Sequence, residues 1–223
     1  MKLMRAYLLY AASLATAMVA GVFVLAQAHA HAEGHGVPHG QAGGNAADEL
    51  KQALAPKPAP EALRKQILDR LFDRLRNASD PGDAQRIAAS IERVWLQSDS
   101  DTANLLMQRA TVSMQAGNYP LALALFDKLV ALEPDWAEAW NQRATTRFLT
   151  GDADGAMADI NQVIKLEPRH FGALAGMGII LQGAGLEKSA LEIFNRALAV
   201  YPLEPNIQKL VEKLTLEIEG QDI

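Results

Sequence analysis

Residues 163–168 read VIKLEP. The same phrase stands at 129–134 as LVALEP, and a variant of it, LAVYP, closes at residue 202. The prolines Pro134, Pro168 and Pro202 are 34 residues apart. Other positions keep the same interval: Gly117, Gly151 and Gly185; Ala122, Ala156 and Ala190; Ala110, Ala144 and Gly178. A fixed period of this size marks a stacked array, because a unit so short cannot bury its apolar face alone.

Each unit reads as a pair of helices. In 137–168, Ala139, Trp140, Ala144 and Phe148 follow helical spacing, and Ala156, Ile160, Val163 and Ile164 form a second stripe. Gly151 breaks the first helix by supplying a positive φ. Asp152 or Asp154 can cap the second helix, as Asn118 can one unit earlier, with Pro120 inside that first turn. Pro168 ends the pair, since the residue before a proline resists the α region. Composition agrees: aromatics are 6% of the chain, and the apolar 49% is mostly Ala and Leu, good helix formers.

These in-phase positions resemble the tetratricopeptide repeat. The resemblance covers about residues 103–203 and implies an all-α fold, a right-handed α-solenoid of antiparallel hairpins. Repeats run over 103–136, 137–170 and 171–203. In that family a small residue on the first helix faces a small one on the second, as Ala110 with Ala122, Ala144 with Ala156 and Gly178 with Ala190 would. Trp140 takes the bulky place early in the first helix. Ser113, Arg147 and Leu181 depart from the usual late aromatic, which implies looser packing there. Arg143 is expected to pair with Asp159 on its hairpin partner. The first helices line the inner side, so the resemblance implies a groove of Asn104, Met107, Thr111, Met114, Asn141, Thr145, Phe148, Leu149, Ala175, Ile179 and Gln182. This wall is apolar with neutral amides and lacks the cationic set that grips a peptide carboxyl terminus in chaperone-binding relatives. A helix or an extended apolar peptide is the implied guest. The terminal helix could instead fill part of the groove itself.

The flanks are helical too. Residues 61–102 hold two apolar stripes split by the turn SDPG and are expected to form a degenerate hairpin capping the amino end. Residues 204–223 carry Ile207, Leu210, Val211, Leu214 and Ile218 on one face with charges opposite, a polar-backed closing helix. The segment 98–104, SDSDTAN, reads as a capped connection rather than a calcium loop.

Residues 1–30 have Lys2 and Arg5 before a long apolar run and end in paired Ala-x-Ala sites, a secretory signal layout. The run is long enough to serve alternatively as an uncleaved anchor. Either places the remainder in the periplasm or on the periplasmic side of an inner membrane. Residues 31–60 are rich in Gly, Ala and Pro and are expected to be a disordered linker. Its His31, His35 and His39 form either an incidental tether or a scavenging tract for zinc, copper or nickel.

Catalytic signatures are missing. The chain contains no Gly-rich phosphate loop, no G-x-S-x-G and no H-E-x-x-H. With no cysteine it can form neither disulfides nor a thiolate metal site. The net charge of -5 argues against nucleic acid as a partner. His170 is expected to be a surface or packing residue, and no spacing brings two acids together. The expected role is therefore a non-enzymatic, cofactor-free adaptor of the bacterial envelope with a protein or peptide partner. A metal-binding exported protein and an assistant in envelope biogenesis are the alternatives.

Overall fold

The computed structural model describes residues 60–221. The leader, the linker and the histidine tract lie outside them. Among the described residues the chain forms nine α-helices and no strand. They are α1 (Pro60–Arg76), α2 (Pro81–Trp95), α3 (Asp101–Gln115), α4 (Tyr119–Leu132), α5 (Ala137–Leu149), α6 (Ala153–Leu166), α7 (Phe171–Gly183), α8 (Glu187–Val200) and α9 (Pro205–Gln221). Helices α3–α4, α5–α6 and α7–α8 are the three hairpins, stacked in chain order, and α9 packs on α8.

The local signals act as the spacing predicts. Gly117, Gly151 and Gly185 have φ of 75°, 87° and 75°, a conformation that a side chain resists. Asn118 accepts the N–H of Leu121 at 3.3 Å, and Asp152 accepts that of Gly155 at 2.9 Å, so each caps its helix. The helices before the elbow prolines stop at Leu132, Leu166 and Val200. Within each hairpin the small residues are buried. At Gly178 the approach is closest: a Cβ there would lie 2.4 Å from the Phe194 ring. Phe126 and Phe194, fully buried, fill the hairpins of repeats 1 and 3.

Helix α9 keeps the clock. Pro205 stands 34 residues after Phe171, and Ile207 and Leu214 are buried in one cluster with Leu174, Ile179 and Phe194. It behaves as the first helix of a fourth unit, with Glu204 capping it through the N–H of Ile207.

Helices α1 and α2 depart from expectation. They form a hairpin, but not a layer on the amino face of repeat 1. Leu68, Phe72 and Leu75 of α1 and Ile87, Ile91 and Trp95 of α2 share a cluster with Phe171 and Tyr201 of repeat 3. The Trp95 carbonyl accepts the Trp136 Nε1–H at 2.6 Å, and Arg169 pairs with Asp69 at 2.7 Å. The pair thus lies along the edge where one repeat turns into the next. Its sequence is out of the 34-residue register: the turn between α1 and α2 falls at 77–80, and the residue 34 before the Gly117 elbow is Asp83, inside α2.

Candidate functional site

The first helices of adjacent repeats lie side by side. The Thr146 hydroxyl of α5 meets the Met114 sulfur of α3 at 3.2 Å. This close packing removes several residues from the expected groove. Met107 and Thr111 are buried within repeat 1. Ala175 and Ile179 are buried in the cluster that α9 completes with Ile207 and Leu214. Asn104 is occupied otherwise: its side chain accepts the N–H of Ser98 at 2.8 Å and donates to the Ser98 carbonyl at 2.9 Å. With Ser100 capping α3, it closes the 98–104 connection. What stays partly exposed is a narrower strip of Met114, Asn141, Thr145, Phe148, Leu149 and Gln182.

The two arginines of α5 beside this strip, Arg143 and Arg147, are spoken for. Arg143 grips Asp159 through both oxygens, Nη2 at 2.7 Å and Nε at 2.9 Å, and reaches Asp127 of the preceding repeat at 2.8 Å. Arg147 adds a third contact to Asp159 at 2.9 Å. The expected Arg143–Asp159 pair is therefore present, and more buried than a hairpin surface would make it. Arg147, where an aromatic was expected, is the second arm of that network rather than a source of looseness. The strip itself presents apolar groups and amides.

A second constellation lies under α2, at the turns between repeats. Sequence spacing pairs no acids, yet the fold brings Glu92 of α2 close enough to Glu138 of α5 for the two to repel. Glu138 is buried and receives hydrogen bonds from Gln142 at 2.6 Å and Asn141 at 3.2 Å. His170 is a packing residue. Its Nδ1 accepts the N–H of Ala173 at 3.1 Å and caps α7, which leaves Nε2–H to donate to Glu138 at 2.9 Å. The Trp95 ring stacks on the imidazole, 4.1 Å between centroids. Glu138, His170 and Trp95 are buried and Glu92 is half-buried, so these groups form a largely enclosed polar joint. Among the described residues, no group of three or more His, Asp or Glu is placed to hold a metal ion.

Burial first, and then the charge of Glu138, push the Glu92 carboxyl from its ordinary 4.5 up to about 8. Burial likewise raises the Tyr201 hydroxyl to about 12, with Glu204 and Glu92 adding to it. The folded chain therefore keeps the Glu92 proton through a range in which the unfolded chain has released it. Stability from this group is fully present below pH 4.5 and is lost as pH rises towards 8. Glu92→Gln should flatten that decline and raise stability at neutral pH by about 1–3 kcal/mol. Urea unfolding of both proteins across the neutral range checks this. Parallel pH profiles would show that Glu92 is not the group responsible.

The sequence carried signals for part of this joint. A buried His170 next to Phe171, and Trp136 just after Pro134, recur at the same place in adjacent turns. Nothing in the spacing linked them to Trp95 or Glu92.

Comparison with known proteins fits this architecture. Two tetratricopeptide repeat models match residues 103–146 and 148–214. A TPR repeat-containing protein of Rhizobium etli is 42% identical over 146 residues, covering 66% of this chain and 72% of that protein. Among solved structures, the first TPR of Spaghetti (RPAP3) bound to an HSP90 peptide superposes with a TM-score of 0.52 at 19% identity, over 54% of this chain and 96% of that one. The type III secretion chaperone SycD of Yersinia enterocolitica, in complex with a peptide of the translocator YopD, gives 0.51 at 18% identity, over 53% and 96%. The Sgt2 TPR domain of Aspergillus fumigatus gives 0.51 at 16%, over 55% and 83%. With the period, the glycine elbows and the stacked hairpins, this similarity is decisive: the chain belongs to the tetratricopeptide repeat family.

Proposed function

We propose that this protein is a non-catalytic interaction module that holds an apolar peptide or helix of a protein partner along its first helices. The observation that carries the reading is the partly exposed strip of Met114, Asn141, Thr145, Phe148, Leu149 and Gln182. The peptide complexes of RPAP3 and SycD, which share the fold, support it. The strip's chemistry selects the guest. Arg143 and Arg147 are held by Asp159, and Arg169 by Asp69 and Glu167, so the module has little cationic surface left here for an acidic tail. Apolar side chains flanked by amides suit a segment with spaced apolar anchors. The envelope location, periplasmic or anchored to the inner membrane, rests on the signal layout of residues 1–30.

The test places charge on the strip without touching the core. The double variant Thr145→Glu, Gln182→Glu should reduce capture of a partner from envelope extract about tenfold, a loss of roughly 1.4 kcal/mol in affinity. Its melting temperature should match that of the unaltered protein. The readout is quantitative mass spectrometry of proteins retained by each form. An unchanged set of retained proteins would count against this strip as the binding surface.

A further inference from the structure

The four first helices of the array can be laid over one another by the 34-residue register. Counted from residues 103, 137, 171 and 205, where the repeats start, their third places are Leu105, Ala139, Ala173 and Ile207, and their tenth places are Val112, Thr146, Ile180 and Leu214. In α5, α7 and α9 the third places are buried, as are Thr146 and Leu214, and Ile180 is partly buried. These places face the preceding repeat, as the contact between Thr146 and Met114 shows. In α3 the same places are open: Leu105 is 47% exposed and Val112 58%. The cause is the displacement of α1 and α2 to the edge of the array, so that no helix among the described residues forms a layer in front of repeat 1.

The seventh place repeats the pattern in charge. Arg143 of α5 receives Asp127 from the repeat in front. Arg109 holds that place in α3 and is exposed. Its guanidinium makes no ion pair or hydrogen bond among the described residues. Leu125 stands where Asp159 stands in repeat 2, so its own hairpin offers no carboxylate either. The same holds for Asp101, exposed in the first turn of α3 and without a partner among the described residues. Asp101 lies four residues before Leu105 and Arg109 four after, on one helical face. Opposite charges set symmetrically about an apolar centre are self-complementary under a two-fold axis. Nearby, Arg64 pairs with Asp99 at 2.9 Å and brings the start of α1 to this end, where Leu63 and Ile67 are also exposed.

We propose that this amino-terminal face is a self-association surface on which two copies pack their α3 helices antiparallel about Leu105, each Asp101 meeting the Arg109 of the other copy. Leu105 then sits against its own counterpart, and Val112 extends the apolar contact at either end. The association also closes the open end of the array, the role a capping layer has in such stacks.

The full chain is measured by light scattering and sedimentation across the micromolar range. It should dimerise. Leu105→Glu with Val112→Glu should leave a folded monomer. Arg109→Asp alone, or Asp101→Arg alone, should weaken self-association about tenfold. The double variant Asp101→Arg, Arg109→Asp should restore it, which a merely structural role for either residue would not produce. A chain that stays monomeric would overturn the proposal. So would association that survives Leu105→Glu with Val112→Glu, since it would then belong to other residues such as the apolar run of 1–30. Failure of the charge swap to rescue would overturn the Asp101–Arg109 pairing. None of these readouts depends on the guest strip of the first helices, so either reading can fail without the other.

Discussion

Asp159→Ala should destabilise the repeats by about 3–5 kcal/mol, because it strands cations inside the hairpin. The Asp159 side chain is 2% exposed and that of Arg143 is 11% exposed. Two charge-assisted hydrogen bonds from Arg143 and an ion pair from Arg147 converge on the one carboxylate. Removing it leaves Arg143 beneath the turn with only Asp127 and the Trp140 ring, 4.8 Å away, to offset its desolvation. Asp127 provides the internal comparison. Its carboxylate also binds Arg143 but is 57% exposed. Asp127→Ala should therefore cost under about 1 kcal/mol, the range of solvent-screened pairs. Urea unfolding of the two variants side by side decides the matter. Equal costs would mean that water reaches the network and that burial is not what makes it matter.

Trp95→Ala should release the α1–α2 hairpin from the repeats at a cost of about 3–5 kcal/mol, the range for deleting a buried indole. The ring stacks on His170 and lies 5.2 Å from Phe171 and 5.8 Å from Phe72, so it joins α1, α2 and the turn into repeat 3. Its Nε1–H is buried without a hydrogen-bond partner among the described residues. Trp95→Phe keeps the stacking and removes that unsatisfied donor, so it should cost much less than the alanine change. Hydrogen exchange distinguishes release from global unfolding. Protection should fall in α1 and α2 while α5 to α8 keep theirs. Uniform loss of protection would show that the hairpin and the repeats unfold as one unit.

The two variants probe parts of the molecule that differ in how far they can be read from residue spacing. Asp159 lies 16 residues from Arg143, across one glycine elbow, and hairpin geometry alone places the two face to face. Trp95 and His170 are 75 residues apart, and no periodicity relates them. The same division runs through the guest strip. Helical register put Met107, Thr111, Ala175 and Ile179 on the inner side. How closely the neighbouring helices and α9 approach that side decides that these four are buried while Thr145, Phe148 and Gln182 stay partly open.

The amino-acid order by itself determined the array: three hairpins, their elbows at Gly117, Gly151 and Gly185, the cap at Asn118, and the Arg143–Asp159 pair, while the structure chose Asp152 over Asp154 as the next cap. All of these rest on interactions within one helix or one hairpin, where 3.6 residues per turn and a positive φ at glycine leave few alternatives. Tertiary structure alone decided the resting place of α1 and α2, the joint of Glu92, Glu138 and His170, and the open face at Leu105. An apolar stripe states that a helix must be covered but carries no label for what covers it. That choice follows from which large surfaces fit together once the repeats have stacked, and here Phe72, Ile91 and Trp95 of the first hairpin found Phe171 and Tyr201 rather than the end they were expected to cap.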